Sequence, residues 1–157
     1  MDEQAVRLGV QELIGEYAEA IDEDRLEEWP DFFADPCRYL VISRSNHEAG
    51  MKQGIMYAAT RGMLLDRVFT IRQANLFEPH SYRHVIGPIR VKEIEDGSAV
   101  VHSHVIVARI MQTGETTLFA TGRYLDRIDV SGETYRFQER VVVLDSDRID
   151  TLLAIPL

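Results

Sequence analysis

The fold is decided between Tyr82 and Asp145, a stretch that reads YRHVIGPIRVKEIEDGSAVVHSHVIVARIMQTGETTLFATGRYLDRIDVSGETYRFQERVVVLD. Three glycines beside polar residues divide it, at Gly97, Gly114 and Gly132. Glycine tolerates positive φ, so we expect a tight turn at each position. The segments between the turns are rich in Val, Ile, Tyr, Thr and Phe, and they exceed the usual strand length of about 5–6 residues. Short turns leave no room for a crossover connection, so this stretch predicts an antiparallel meander of four strands.

The chain before the meander is predicted to be largely helical. Apolar residues recur at helical spacing from Val6 to Ile21, which predicts an amphipathic helix over about residues 3–23. The same spacing predicts a second long helix at Ile55–Ile71. Pro30 favours the first turn of a short helix between them. The remaining predicted elements are a strand at Cys37–Arg44, a polar loop at Ser45–Gly54, a loop at Gln73–Ser81 and an apolar tail at Leu152–Leu157, which must pack on its own domain or on a partner.

This order of elements predicts an α+β fold in one domain over residues 1–157. The N-terminal helices are expected to pack on a strongly curved antiparallel sheet. Such a cone is the architecture of nuclear-transport-factor-like (NTF2-like) and ketosteroid-isomerase-like proteins, so the fold assignment rests on an analogy with them.

Composition excludes several classes of function. The net charge is −9, and residues 1–35 alone hold twelve acidic residues against two arginines. A nucleic-acid-binding protein would need a basic stripe instead. No apolar run approaches the roughly 18 residues of a membrane span, and the acidic N-terminus is unlike a signal peptide. Cys37 is the only cysteine, so no disulfide and no cysteine cluster can form within the chain. We therefore expect a cytoplasmic protein without a metal cofactor of its own.

The sequence offers one set of residues for acid–base chemistry. Tyr17, with Asp22 or Asp24 near the end of the first helix, could face His84 and His102 on the sheet, a set suited to dehydration or isomerisation. The alternative is that the aspartates are surface acids and the histidines hydrogen-bond structurally. Metal binding is poorly supported, because no third ligand follows His102 at a convincing spacing.

A series of motifs follows one order along the chain: Tyr17 with Asp22, Trp29-Pro30-x-Phe32-Phe33, Cys37-x-Tyr39, Met63-Leu64-x-Asp66-Arg67 with Arg72, Tyr82-Arg83-His84, Gly122-x-Tyr124-Leu125-Asp126, Arg140 with Leu144-Asp145, and Pro156-Leu157. In this order and spacing the set resembles the small (β) subunits of bacterial aromatic-ring-hydroxylating dioxygenases over essentially the whole chain. Gly87-Pro88 stands where many members have a Ser-Asn or Thr-Asn pair, and this departure is similar to the branch that acts on aromatic carboxylates. The residues that resemble the terephthalate-acting members most are His47, Gly54-Ile55, Arg109-Ile110-Met111-x-Thr113-Gly114-Glu115 and Asp150-Thr151-Leu152.

The resemblance implies a structural subunit without a catalytic centre. In that family the large α subunit carries the Rieske 2Fe–2S cluster and the mononuclear non-haem iron, the small subunit supports an α3β3 hexamer, and a reductase or ferredoxin acts on the complex. One cysteine cannot supply the two Cys and two His ligands of a Rieske cluster. A free-standing dehydratase or isomerase of the same fold stays open as the alternative. The residues expected to serve structure or subunit contacts are Trp29, Asp66, Arg67, Arg72, Arg83, His84 and Arg140.

Overall fold

The predicted meander is present as four consecutive antiparallel strands. The structure is a computed structural model that describes residues 2–73, 78–148 and 153–157. Residues 74–77 of the predicted loop and 149–152 near the predicted tail lie outside the described part. The strands of the meander are β3 His80–Glu95, β4 Ser98–Met111, β5 Thr116–Asp129 and β6 Arg136–Leu144.

Two of the three predicted glycine turns have the expected backbone. Asp96 and Gly97 have φ values of 51° and 73° between β3 and β4, as a tight hairpin turn requires. Gly114 has a φ of 93° at the next corner. The prediction is wrong for Gly132, whose φ is not in the left-handed region. The connection from β5 to β6 is longer than a two-residue turn, so it reverses the chain without that conformation.

The whole sheet has six strands in the order β2-β1-β6-β5-β4-β3 and is mixed, where a wholly antiparallel sheet was expected. β1, Phe33–Ser43, runs parallel to β6. Parallel pairing needs a long connection, and the helices and the meander that separate β1 from β6 provide it. Bulges interrupt the pairing of β3 with β4, of β4 with β5 and of β5 with β6, which bends the sheet as the predicted cone requires.

The first predicted helix is confirmed as α1, Glu3–Asp22. The Asp2 side chain caps it by accepting a hydrogen bond from the Gln4 N–H over 3.0 Å. The predicted apolar stripe is buried against the inner face of the sheet, and α1 lies against β3. A 3₁₀ helix at Leu26–Phe32 follows and carries Trp29 into the same core. In the described part of the chain, no helix is long and apolar enough to cross a membrane.

The segment between β1 and the meander differs from the prediction. A short helix α2, Arg44–Glu48, occupies the start of the predicted polar loop. The expected helix at Ile55–Ile71 is instead strand β2, Met56–Ala58, followed by helix α3, Arg61–Gln73. β2 pairs with the open edge of β1, and the preceding Ile55 N–H donates to the Val41 carbonyl over 2.7 Å. Apolar spacing over so few residues fits both structures, and the unpaired edge of β1 decided between them.

Candidate functional site

Two tyrosines bind the backbone of Leu157 inside the domain. Tyr17 on α1 and Tyr39 on β1 each donate a phenol hydroxyl to the Leu157 backbone oxygen over 2.9 Å. The Leu157 N–H donates to the Tyr39 hydroxyl over 3.1 Å. The Trp29 indole N–H donates to the Tyr17 hydroxyl over 3.0 Å. All four residues are at most 1% exposed, so each buried polar group in this network is satisfied by another.

The apolar C-terminal segment fills the interior around this network. Leu153, Ile155 and Leu157 are buried in the same core as α1 and the inner face of the sheet. Tyr82 on β3 donates its hydroxyl to the Ile155 carbonyl over 3.3 Å. The tail was expected to pack either on its own domain or on a partner. The described residues 153–157 pack on their own domain.

Burial keeps the three tyrosines that contact the tail in their protonated form. Desolvation raises the pKa of the phenols of Tyr17, Tyr39 and Tyr82 above the ordinary value. A protonated phenol donates one hydrogen bond. These three phenol hydroxyls are therefore donors, and all three are directed at backbone oxygens of the tail.

Asp22 and His84 form the one close carboxylate–imidazole pair of the candidate set. Asp22 Oδ1 lies 2.6 Å from His84 Nδ1, and Asp22 Oδ2 accepts the His84 backbone N–H over 2.8 Å. The His84 side chain is 0% exposed, and its Nε2 has no hydrogen-bond partner among the described residues. His84 contacts Tyr82 with a ring-centroid distance of 6.0 Å. The pair has the geometry of an imidazole held by a carboxylate, and the same contacts also anchor the end of α1 to β3.

The structure does not bring Asp24 and His102 to this pair. Asp24 is on the surface, where both of its carboxylate oxygens accept hydrogen bonds from Arg72 over 2.9 Å. His102 lies on the outer face of β4, because its neighbours Val101 and Ser103 take the buried face. Partial burial lowers the pKa of the His102 imidazole. The structure therefore does not bring Tyr17, Asp24, His84 and His102 together, since the Tyr17 hydroxyl is bound to Leu157 and Trp29 instead. Sequence spacing did not fix which of the two aspartates turns inward.

Arg140 is the largest charged side chain of the core. It donates from Nε and Nη2 to the two carboxylate oxygens of Asp126, over 2.9 and 2.8 Å, and both side chains are 0% exposed. The guanidinium carbon lies 3.7 Å from the ring centre of Tyr124, and it also lies over the rings of Tyr17 and Phe137. Desolvation raises the pKa of the Asp126 carboxyl, and the Arg140 charge opposes this rise. Arg140 therefore stabilises the domain from within and is not a subunit contact on the described surface.

The other residues expected to serve structure or subunit contacts divide into buried and exposed groups. Trp29 and His84 are buried in the domain, so they act on its own packing. Arg72 is held on the surface by Asp24 and by Glu27, the latter at 2.7 Å. The exposed or half-buried members are Asp66, Arg67 and Arg83.

Several of the exposed apolar side chains lie on α3 and on the outer face of the sheet. On α3, Leu65 and Phe69 are one helical turn apart on one face, and Phe69 is 66% exposed. On the outer face of the sheet, Val85 and Ile106 are directly paired across β3 and β4, with Leu118 on β5 also exposed. Monomeric proteins rarely leave such groups together in water.

The described residues do not fit a metal cofactor. In the parts of the chain that the structure describes, no three His, Cys, Asp or Glu side chains form a group that could hold a metal ion. Cys37 is buried, and burial raises the pKa of its thiol, which disfavours the thiolate that binds metals. The iron centres that the family resemblance implies therefore cannot be assigned to these residues.

Only part of this site could be predicted from the sequence. The apolar composition of the tail indicated that it would be covered, and the Tyr17, Tyr39 and Tyr82 motifs were visible. The contact of two of these tyrosines with Leu157 spans 140 and 118 residues of sequence, and no local pattern signals it.

Comparisons with known proteins place this architecture in a family. The family model described as "Ring hydroxylating beta subunit" matches residues 16–151. The chain is 43% identical to subunit beta 2 of the terminal oxygenase component of terephthalate 1,2-dioxygenase from Comamonas sp., over 90% of this chain and 92% of the relative.

Solved structures agree with that match. The β subunit of a protein assigned as an aromatic-ring-hydroxylating dioxygenase from Novosphingobium aromaticivorans superposes with a TM-score of 0.91 at 37% identity, covering 99% of both chains. A protein from the same organism assigned as a scytalone dehydratase has a TM-score of 0.72 at 15% identity, covering 99% of this chain and 95% of that one. The latter likeness shows a shared fold alone, and it confirms the NTF2-like assignment. The chain therefore belongs to the β-subunit family of the aromatic-ring-hydroxylating dioxygenases, which are oxidoreductase complexes.

Proposed function

We propose that this chain is the non-catalytic structural subunit of a cytoplasmic Rieske non-haem iron dioxygenase. Membership of the β-subunit family implies association with a large α oxygenase subunit. We place both chains in an α3β3 hexamer, with the Rieske cluster and the mononuclear iron in the α subunit and a reductase or ferredoxin supplying electrons. Residues 1–157 form one domain in this assembly.

The observation that carries the proposal is the filled interior. An isolated enzyme of this fold would need an open, polar-lined pocket for its substrate. Here the phenol donors of Tyr17 and Tyr39 bind the Leu157 backbone, and Leu153 and Ile155 pack beside it. The described interior is thus used for the stability of the chain itself, which favours a supporting role.

The exposed apolar side chains favour a partner on two sides. α3 turns Leu64 and Val68 into the core, yet it leaves Leu65 and Phe69 exposed on another face. A helix with two apolar faces is typical of one covered on both sides. Asp66 and Arg67 lie on the same helix, and Arg83 lies beside Val85 on β3, so these charges would flank the contacts. We propose that the sheet carries contacts between β subunits around the three-fold axis.

The substrate that we propose is an aromatic carboxylate such as terephthalate, which the complex would convert to a cis-dihydrodiol. Support comes from the 43% identity to the terephthalate 1,2-dioxygenase subunit. The α subunit would hold the substrate. This chain would therefore bear on the choice of substrate only through its pairing with a matching α subunit.

Affinity purification of the tagged chain from its native host tests the assembly. We expect a large subunit to co-purify, with iron and the visible absorption of a Rieske cluster, at the mass of an α3β3 complex. The purified complex should hydroxylate terephthalate and leave toluene unreacted. Recovery of the chain alone, or of a complex without iron, would contradict the proposal.

One pair of variants locates the contact on α3. Phe69→Asp should lower the assembled fraction at least tenfold, because a charge would be buried at the contact. Leu8→Asp is the matched control, since Leu8 is 59% exposed on α1, away from the contact that we propose. Equal assembly of both variants would remove α3 from the interface.

A second candidate function is acid–base catalysis as a dehydratase or isomerase, and the buried Asp22–His84 pair favours it. A general acid or base contributes about 10²–10⁴-fold to a rate. If His84 is structural, His84→Ala should leave the hydroxylation turnover per assembled hexamer within about twofold of the wild-type value. A thousand-fold loss of turnover in fully assembled complex would show instead that this chain does chemistry.

A further inference from the structure

We infer that Leu157 occupies a latent binding site for a small aromatic molecule that carries a carbonyl or carboxylate oxygen. The inference goes beyond the proposed structural role and concerns the isolated chain. The tail segment Leu153–Leu157 would act as the built-in occupant of this site, and an outside molecule could bind only when the segment leaves.

The first argument is the convergence of donors. The hydroxyls of Tyr17 and Tyr39 both donate to a single oxygen, the backbone oxygen of Leu157, over 2.9 Å. Burial raises the pKa of both phenols, so both remain donors at neutral pH. If the tail left, the two buried donors would lose their acceptor, which is unfavourable in an apolar interior. A small molecule with one strong acceptor oxygen would restore both bonds.

The second argument is the shape and chemistry of the walls. Trp29, Phe33 and Tyr39 contact one another edge to face, with ring centroids 5.2 to 5.9 Å apart. Aromatic edges and faces of this kind pack well against another ring. The molecule that fits these walls and donors is therefore aromatic, with its oxygen directed at the two phenols.

The third argument is an unused polar atom on the same inner face. Tyr82 and His84 alternate on β3 and share the buried face, and Tyr82 itself binds the Ile155 carbonyl. The His84 side chain is 0% exposed, Asp22 holds its Nδ1, and its Nε2 has no partner among the described residues. A buried nitrogen without a partner is unusual for a residue that serves packing alone. It provides a further polar group on the inner face that also carries the tail-binding Tyr82.

The site would be hidden in the wild-type chain by competition. A ligand that binds only the minor, tail-released state has an apparent affinity reduced by the population of that state. Variants that weaken tail packing should therefore raise the apparent affinity without new contacts to the ligand. Ile155 suits this purpose, because it is 7% exposed and its side chain lies outside the Tyr17–Tyr39–Leu157 network.

Nuclear magnetic resonance on the full chain provides a specific readout. Trp29 is the only tryptophan, so its indole N–H gives one resonance, and that N–H donates to Tyr17 at the site. The probes are acetophenone, which has an acceptor oxygen, and isopropylbenzene, which has the same connectivity of non-hydrogen atoms with a methyl group in place of that oxygen. The proteins are the wild type, Ile155→Ala, Ile155→Asp and the exposed control Leu8→Asp.

We expect acetophenone to produce a saturable shift of the indole resonance in both Ile155 variants. Its apparent dissociation constant should be at least tenfold lower than in the wild type or in Leu8→Asp. Acetophenone should bind at least tenfold tighter than isopropylbenzene. Adding Tyr39→Phe to Ile155→Ala should reduce that preference to less than threefold. Folded Ile155 variants without saturable binding, or with equal affinity for the two probes, would overturn the inference.

Hydrogen exchange in the wild type decides the matter if the Ile155 variants do not fold. The Leu157 N–H is bound by Tyr39, so it exchanges only when the tail opens. The inference requires this amide to exchange at least tenfold faster than the slowest amides of β4. Exchange at the rate of those slowest amides would show that the tail opens only when the whole domain unfolds, and it would refute the inference. None of these measurements involves the α subunit, so their failure would leave the proposed assembly untouched.

Discussion

Replacing Arg140 by Met should strongly destabilise the isolated chain. The guanidinium donates to both oxygens of Asp126 at 2.9 and 2.8 Å, and neither side chain is exposed. Methionine fills much of the same volume, but it leaves the Asp126 carboxylate buried without its partner. Breaking a buried ion pair in this way typically costs about 3–5 kcal/mol. Loss of the contact with the Tyr124 ring, 3.7 Å from the guanidinium carbon, adds to the effect.

The destabilisation by Arg140→Met should grow with pH. Burial already raises the pKa of the Asp126 carboxyl, and without Arg140 only the smaller effect of His102 opposes that rise. The folded variant then binds a proton that the unfolded chain releases above its ordinary pKa of about 3.9. Its stability is therefore retained below that value and falls as pH rises toward the folded-state pKa, by about 1.4 kcal/mol per pH unit.

Urea denaturation at pH 4 and at pH 7 measures both effects. Arg38→Met is the matched control, because Arg38 pairs with Glu139 at 3.2 Å on the neighbouring strand but both side chains are more than a third exposed. That change should cost less than about 1 kcal/mol at either pH. A double variant, Asp126→Leu with Arg140→Met, should recover part of the loss. Equal costs for Arg140→Met and Arg38→Met, or a loss independent of pH, would refute the reasoning.

Two further pairs of variants test local features of the chain. Gly122→Ala should destabilise the chain by about 1–3 kcal/mol, because a Cβ would lie 2.2 Å from a β6 carbonyl oxygen. Gly15→Ala on the open face of α1 should instead stabilise it by about 0.5–1 kcal/mol, and thermal unfolding measures both. Asp22→Ala should lower the free energy of unfolding by about 1–3 kcal/mol, because it leaves the His84 backbone N–H without an acceptor. Asp24→Ala should lower it by less than about 1 kcal/mol, because Asp24 pairs with Arg72 on the surface. Similar urea midpoints for the two variants would contradict the assignment of Asp22 as the inward carboxylate.

Local signals were sufficient for much of the fold. The Asp96-Gly97 pair set a tight turn by its own backbone preference, and the apolar stripe from Val6 to Ile21 set the buried face of α1. Both depend on residues that are neighbours in sequence. The same local reasoning was wrong at Gly132, where a longer connection relieved the need for positive φ. It was also wrong at Ile55, where a helix was predicted but strand β2 forms by pairing with the free edge of β1.

The sequence by itself determined the antiparallel meander, the first helix, the need to bury the tail and the lack of Rieske ligands, since each follows from residue types and short-range spacing. The tertiary structure alone decided that β1 runs parallel to β6, that Asp22 rather than Asp24 meets His84, and that Arg140 points into the core. These outcomes depend on which distant segments come into contact. A carboxylate or guanidinium looks the same in sequence whether water or a buried partner satisfies it, and only the packed chain determines which of the two does.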